Sequence, residues 1–224
     1  MPSAEVLSWV RTRFMPHIWC PGCGHGIIMH ALIRALVALK KERSNTVLAS
    51  GIGCSSRMAG YINACTLHST HGRSLAFATG IKLHRPELTV VDVMGDGDCT
   101  AIGGNHFIHA CRRNIDITAI VMNNNIYGMT GGQASPTTPI GAWASTTPYG
   151  AIDPAFDICK LAEGAGASYV ARTTIANPRQ AETYITNGIK KKGFSVVEVV
   201  THCHTQFGRK NDRRLPIENY NFFK

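Results

Sequence analysis

The chain has 224 residues, of which 44% are hydrophobic and 17% charged, with eight Cys and a formal net charge of +9. This length suits a single α/β domain, and the apolar content excludes a wholly disordered chain. No apolar run reaches the ~18 residues of a membrane span, and the segment Met1-Pro-Ser-Ala-Glu5 lacks the basic and apolar regions of a secretory leader. The expected compartment is therefore the cytoplasm. There, eight Cys in a chain of this length point to metal binding or redox chemistry rather than to a disulfide scaffold.

Helical and strand patterns alternate along the chain. Residues 24–43 carry Ile27, Ile28, Ala31, Leu32, Ala35, Leu36 and Leu39 at the spacing of one buried helix face. Residues 46–50 form a short apolar strand that runs into the turn Gly51-Ile52-Gly53. Residues 73–83 can form a second helix, stopped before Pro86. Residues 88–94 are a continuous apolar run, the kind of strand covered on both faces in a parallel sheet. A crossover helix over 101–113 leads to a buried strand over 117–122. Residues 127–151, rich in Gly, Thr, Pro and Ser, show no periodicity, and loops this long in compact domains are usually functional or disordered. A helix over 153–163 is expected next, with Asp153 as N-cap and Pro154 at its first position. A short strand over 168–171, a helix over 178–192 with a basic last turn and a buried strand over 194–200 complete the pattern. Such alternation implies parallel βαβ units, so the expected fold is α/β, an open, mostly parallel sheet with helices on both faces. The tail after Cys203 is polar and basic with no clear element, and it reads as an extension that packs on another subunit.

Two strand ends carry chemistry. The strand over 88–94 runs straight into Gly95-Asp96-Gly97-Asp98. In open parallel sheets, ligands bind at the carboxyl ends of strands beside a switch in strand order. Gly95 and Gly97 would let backbone approach a phosphate, but Thr100 stands where the dinucleotide fingerprint needs its last Gly. Two carboxylates are poor neighbours for a diphosphate unless Mg²⁺, which prefers hard oxygen ligands, lies between them. The second strand end is Met122-Asn123-Asn124-Asn125-Ile126-Tyr127-Gly128, about 28 residues on, and Asn carbonyl oxygens are further hard ligands. One helix links the two strands, so Asp96 and Asn124 can reach a single ion.

Cys20 and Cys23 form a C-x-x-C just before a helix, a pattern open to Zn²⁺, an iron–sulfur cluster or a redox dithiol. His25 stands one residue too far for a c-type haem attachment site. Zinc sites usually show a second close pair, whereas Cys54 and Cys203 stand alone, each near a turn at a strand end. Cys65, Cys99, Cys111 and Cys159 have no such context, and packing is their expected role.

Gly95-Asp96-Gly97 followed by an Asn pair resembles the thiamine diphosphate signature. The longer strings Gly95-Asp-Gly-Asp98, Ile102-Gly-Gly-Asn-His106 and Asn124-Asn-Ile-Tyr-Gly-Met-Thr-Gly-Gly-Gln133 resemble the β subunit of 2-oxoacid:ferredoxin oxidoreductases. So do Cys20-Pro-Gly-Cys-Gly-His25, Gly51-Ile-Gly-Cys54 and Gln206-Phe-Gly-Arg209. The similarity covers roughly residues 17 to 210. It implies the pyrophosphate-domain fold of thiamine enzymes over residues 1–203, with 204–224 as a basic C-terminal extension. Asp96, Asn124 and the Ile126 carbonyl would bind Mg²⁺. Gly97, Asp98, Gly128 and Met129 would line the diphosphate, and Ile52, Gly53, Cys54, Ser55 and His71 would also touch thiamine diphosphate. A [4Fe–4S] cluster would sit on Cys20, Cys23, Cys54 and Cys203. The family often has Pro where His204 stands here. Arg57 is the expected contact for the substrate carboxylate.

The implied reaction is oxidative decarboxylation of a 2-oxoacid to acyl-coenzyme A and CO₂, with electrons passing through the cluster to ferredoxin. The Asn-Ile-Tyr-Gly-Met-Thr string looks most like the 2-oxoglutarate branch. Thiamine enzymes need a Glu to activate the cofactor, and none of the seven Glu of this chain sits in a motif resembling that role. In the family that Glu comes from an α subunit carrying the pyrimidine domain, so a heterodimer or dimer of heterodimers is expected. A non-redox thiamine enzyme of the acetolactate or sulfopyruvate decarboxylase type would share the Asp and Asn turns but has no need of the Cys set. A basic nucleic-acid-binding module fits the charge, yet no helix-turn-helix, RNA-binding or zinc-finger pattern is present. Neither nucleic acid nor membrane is an expected partner. Residues 190–224 hold eight Lys or Arg against three acids, which suggests a basic tail able to steer an acidic ferredoxin or a partner subunit.

Overall fold

The computed structural model describes residues 3–224. A short helix α1 (Ala4–Ser8) precedes the long helix α2 (His25–Ala38), which leads to β1 (Thr46–Ser50). Helix α3 (Met58–Tyr61), β2 (Cys65–His68), α4 (Ser74–His84) and β3 (Thr89–Gly95) follow. The short helix α5 (Asp96–Thr100) and helix α6 (Gly104–Arg113) connect β3 to β4 (Thr118–Asn123). A small hairpin, β5 (Ile126–Tyr127) with β6 (Gln133–Ala134), opens the long loop that ends at α7 (Ile158–Gly164). Then come β7 (Tyr169–Thr174), α8 (Pro178–Lys190), β8 (Ser195–Val200), a π-helical turn (His204–Gly208) and α9 (Pro216–Phe222).

Six strands form one sheet in the order β2-β1-β3-β4-β8-β7, and every pairing is parallel. The alternating pleat sends successive side chains to two separate cores. Val91, Val93, Ile120, Met122, Val197 and Val199 meet α2, α3 and α8 on one face. Val90, Met94, Ala119, Val121 and Val196 meet α4, α6 and α7 on the other, where the rings of Phe107 and Phe194 pack edge to face, 6.2 Å apart. The chain leaves β1 toward β2 on one side and leaves β3 toward β4 on the other. The sheet's switch in strand order therefore lies between β1 and β3, and the crevice outside their carboxyl ends is the place for a ligand.

The expected parallel α/β sheet is present, and four details differ. The half-exposed edge strand β2 carries no apolar run and was not anticipated. The helix expected over 101–113 starts at Gly104, because residues 96–100 form a separate turn of helix directly after β3. The helix expected from Asp153 starts at Ile158, capped by Asp157, whose side chain accepts from the Lys160 N–H at 3.1 Å. Residues 153–156 instead lie outside any helix or strand, tied across the long loop by the Phe156 N–H to the Pro136 carbonyl at 2.8 Å. That loop is ordered, and its backbone is pinned by bonds such as Ser145 N–H to Gly132 O at 2.7 Å. Finally, the tail contains α9 and folds onto its own domain. Asn219 is buried and donates to the carbonyls of Arg213 and Leu215. Phe223 packs on the α2 face of the core and stacks with His202.

Two acidic side chains lie deep in the sheet, Asp92 on β3 and Glu198 on β8, and the second is ion-paired. Glu198 on β8 is 1% exposed. It accepts from Arg172 Nε at 2.6 Å, Asn123 Nδ2 at 2.8 Å and Cys159 Sγ at 3.3 Å. Removing the cation leaves a buried carboxylate without its counter-charge, which typically costs ~3–5 kcal/mol. Arg172→Met should therefore lower the urea unfolding midpoint sharply, and the double variant Arg172→Met/Glu198→Met should recover most of the loss.

Candidate functional site

The site grows out of the carboxyl ends of β1, β3 and β4. Asp96 follows β3 immediately and is 2% exposed. Its Oδ2 accepts from the hydroxyls of Ser135 at 2.5 Å and Thr137 at 2.6 Å, both from the long loop. Thr137 Oγ1 also lies 3.0 Å from Asn123 Oδ1, so a buried polar chain runs from Asp96 through Thr137 and Asn123 to Glu198 and Arg172. Burial pushes the Asp96 carboxyl above its usual range, and the two hydroxyls pull it back. On its other side, the amide head of Asn124 faces Asp96 Oδ1 at 3.2 Å and the Ile126 carbonyl at 2.7 Å, both acceptors. Turned one way the amide nitrogen donates to both. Turned the other way three oxygens converge, the arrangement a hard divalent cation takes.

Asp98 sits one helical step further on. Its Oδ1 accepts from the Gly72 N–H at 2.6 Å and from His71 Nδ1 at 2.5 Å, while Oδ2 has no partner although buried. Burial raises the Asp98 carboxyl, opposed by the Gly72 N–H and His71. Two glycines make room here. A Cβ on Gly51 would stand 2.2 Å from Asp98 Oδ2, and one on Gly97 would stand 2.3 Å from the ring of Tyr127. Tyr127 therefore lies flat on the Asp turn and donates to the Gly97 carbonyl at 3.2 Å.

These groups wall a partly open cleft. The residues expected to hold Mg²⁺, Asp96, Asn124 and Ile126, line it together with Gly97, Asp98, Gly128 and Met129. Ile52, Gly53, Cys54, Ser55 and His71 close the other wall. Arg57 is not among the lining residues. Its guanidinium sits 5.9 Å from the centre of the Tyr61 ring, at the base of α3.

A second cavity of about 870 Å³ abuts the first and is lined by Cys20, Cys23, Cys54 and Cys203. The two share His25, Cys54, Asn124, Gly128 and Met129 as a common wall. Gly128 is thin enough for both sides: a Cβ there would stand 3.3 Å from Cys203 Sγ and 3.6 Å from Cys54 Sγ. Trp19 Nε1 donates to the Cys54 carbonyl at 2.7 Å and fixes that turn. Burial, then the neighbouring thiols, pushes the Cys23 thiol up to about 12 and the Cys54 thiol to about 11. Crowded thiols of this kind lose protons readily only to a bound cationic centre. Among the described residues, no three His, Cys, Asp or Glu are close enough to share one metal ion. The thiols instead surround open space, as a centre several atoms across requires. Cys99 and Cys111 are buried in the α6 face of the core, Cys159 faces Glu198, and Cys65 lies at the edge strand, all outside this cavity.

The sequence did not single out Ser135, Thr137 or Trp19, and it marked His25, with His71, as a histidine with a functional role but did not say which. Ser135 and Thr137 fall in the long polar loop, whose Ser and Thr content was the only local signal. His25 is buried with Nδ1 3.1 Å from Cys23 Sγ. Burial, and then His202, holds its imidazole down to about 4, so it is neutral near pH 7. No Glu lines either cavity.

The family described as "Thiamine pyrophosphate enzyme, C-terminal TPP binding domain" matches residues 51–199. The 2-oxoglutarate synthase subunit KorB of Methanocaldococcus jannaschii is 55% identical over 219 residues, 98% of this chain and 81% of that protein. The KorB subunit of Archaeoglobus fulgidus is 60% identical over 202 residues, 90% of this chain and 75% of its own length. This chain belongs to the KorB family of 2-oxoglutarate synthase subunits. A solved structure, the 2-oxoglutarate:ferredoxin oxidoreductase from Magnetococcus marinus with 2-oxoglutarate, coenzyme A and succinyl-CoA bound, superposes with a TM-score of 0.88 at 37% identity. The match covers 92% of this chain and 70% of that one. The KorB fold is thus a thiamine diphosphate-binding domain, and the cleft described above lies at its switch in strand order between β1 and β3.

Substituting Gly97→Ala in this KorB chain should weaken thiamine diphosphate binding by at least about tenfold, a change of about 1.4 kcal/mol. Tyr127→Ala in the same chain should restore part of it, because it removes the ring that the new methyl meets. Titration calorimetry with thiamine diphosphate and Mg²⁺ on the assembled complex measures both.

Proposed function

We propose that this chain is the cofactor-binding half of a 2-oxoglutarate:ferredoxin oxidoreductase. It works with a partner subunit to convert 2-oxoglutarate and coenzyme A to an acyl-coenzyme A and CO₂. Asp96, Asn124 and the Ile126 carbonyl would hold Mg²⁺, whose charge would offset that of the diphosphate. Asp98, held by His71 and the Gly72 N–H, and the bare backbone of Gly97 and Gly128 let the diphosphate approach closely. Thiamine diphosphate, once bound, supplies the nucleophilic carbon and the electron sink that these side chains lack. Cys20, Cys23, Cys54 and Cys203 would hold one [4Fe–4S] cluster, which would supply a one-electron path toward ferredoxin.

The observation that carries this reading is the wall shared by the two cavities. Cys54 borders both, so an electron acceptor held by the four Cys would stand next to the reacting cofactor. A non-redox thiamine decarboxylase would not place four thiols there. The absence of Glu from both cavities supports a partner that brings the activating acid. The one buried Glu, Glu198, is occupied with Arg172 and Asn123.

Two measurements test the reading. Anaerobically purified chain should contain about four iron and four sulfide per chain, the content of one cluster, and Cys203→Ala should lose most of it. Values near zero in the parent, or near two clusters per chain, would contradict the ligand set. The isolated chain with thiamine diphosphate and Mg²⁺ should release no CO₂ from 2-oxoglutarate, whereas adding the co-purifying subunit should restore turnover with a viologen dye. Substantial decarboxylation by the chain alone would show that the acid lies within it.

A further inference from the structure

We propose that the outer face of the cysteine cavity is the docking surface for an acidic protein that carries electrons one at a time. This rests on the iron–sulfur reading above. Cys20 is the exposed member of the four cysteines. Beside it, Ile18 lines the same cavity and is 66% exposed. Pro216, at the start of α9, packs directly on the cysteine loop, since a Cβ on Gly22 would meet its ring at 2.6 Å. Flanking that proline, Leu215 and Ile217 are 56% and 58% exposed. An exposed apolar centre thus lies beside the exposed cysteine of the cavity.

Basic side chains rim this centre. Arg209 and Arg214 are exposed, and Arg213 stacks over Phe222 at 3.9 Å. Residues 204–224 hold five Lys or Arg against two acids. One of those acids, Glu218, is engaged with the Leu215 N–H at 2.9 Å, and the other, Asp212, is exposed. The fold also sorts the positive charge that looked continuous in sequence. Lys190, Lys191 and Lys192 precede β8 and lie roughly 20 Å away, at about 3.3 Å per residue along that strand. Lys192 there pairs with Asp116. The charge that remains beside the cysteines selects the occupant. A second copy of this chain would set like charges together, whereas an acidic carrier is steered in. Electron-transfer contacts are among the smallest specific interfaces, below ~1,200 Å², so a patch of this size suffices. Oxidising one 2-oxoacid releases two electrons, so two one-electron carriers must dock and leave in each turnover, which favours a small, charge-steered contact.

The test uses the complete complex with its partner subunit and a strongly acidic ferredoxin. Arg209→Glu/Arg214→Glu should weaken ferredoxin binding about tenfold or more at low ionic strength and flatten its salt dependence. Ile217→Asp should weaken it without that flattening. Iron content and methyl viologen reduction should stay at parent values in both. Unchanged ferredoxin affinity in both variants overturns the proposal. So does an equal loss of viologen reduction, or an oligonucleotide that displaces ferredoxin from the parent. Iron absent from the parent complex would instead overturn the cluster reading on which the surface rests.

Discussion

A carboxylate buried at the end of a central strand sets the terms for this fold's functional edge. Asp96 is almost fully removed from water, and an uncompensated charge there would be prohibitively costly. Two hydroxyls from a loop some forty residues away cover one oxygen, and the Asn124 amide faces the other. The same polar chain continues through Asn123 to Glu198 and Arg172, so the site is tied to the sheet interior and to the surface beyond it. The long loop is ordered partly because Ser135 and Thr137 must meet that carboxylate. Half-satisfied networks of this kind are expensive, and the side of Asp96 that faces the Asn124 amide is the open one here.

Space around the carboxylate is shaped by absent side chains. Gly51 clears Asp98, Gly97 clears Tyr127, and Gly128 lets the cofactor cleft and the cysteine cavity share a wall. Each approach is too close for a Cβ or leaves it only contact distance. The chain therefore brings backbone, rather than side chains, to this part of the cleft. The chemistry it does not supply is equally informative. Neither cavity has a Glu, and the buried Glu198 is committed to an internal ion pair. A chain built this way belongs to a thiamine diphosphate-binding fold yet presents no acidic Glu to its cleft.

The periodic strands, the Asp and Asn turns and the C-x-x-C could be read from the residues because each is a local feature. A continuous apolar run, a glycine turn after it and a helix beyond it need no knowledge of the rest of the chain. The half-exposed strand β2 and the shifted start of α7 could not be read so. One is defined by its pairing with β1, and the other by a backbone bond from Phe156 to Pro136 across the loop. Arg57, expected at the substrate, lies outside the lining of both cavities, with its guanidinium 5.9 Å from the centre of the Tyr61 ring. The tail, which reads as an extension toward another subunit, folds back because Phe223 and Asn219 find partners on its own domain.

The sequence by itself determined that the chain forms a parallel α/β sheet with hard oxygen ligands at two successive strand ends. Strand patterns and turn chemistry act over a few residues. Only the tertiary structure decided that Cys20, Cys23, Cys54 and Cys203 face one cavity, that Ser135 and Thr137 reach Asp96, and that the basic residues divide between opposite ends of the sheet. Those placements depend on strand order. The crossing from β2 past β1 to β3, and the late insertion of β8 beside β4, bring together residues separated by most of the chain, through pairings that no local pattern encodes.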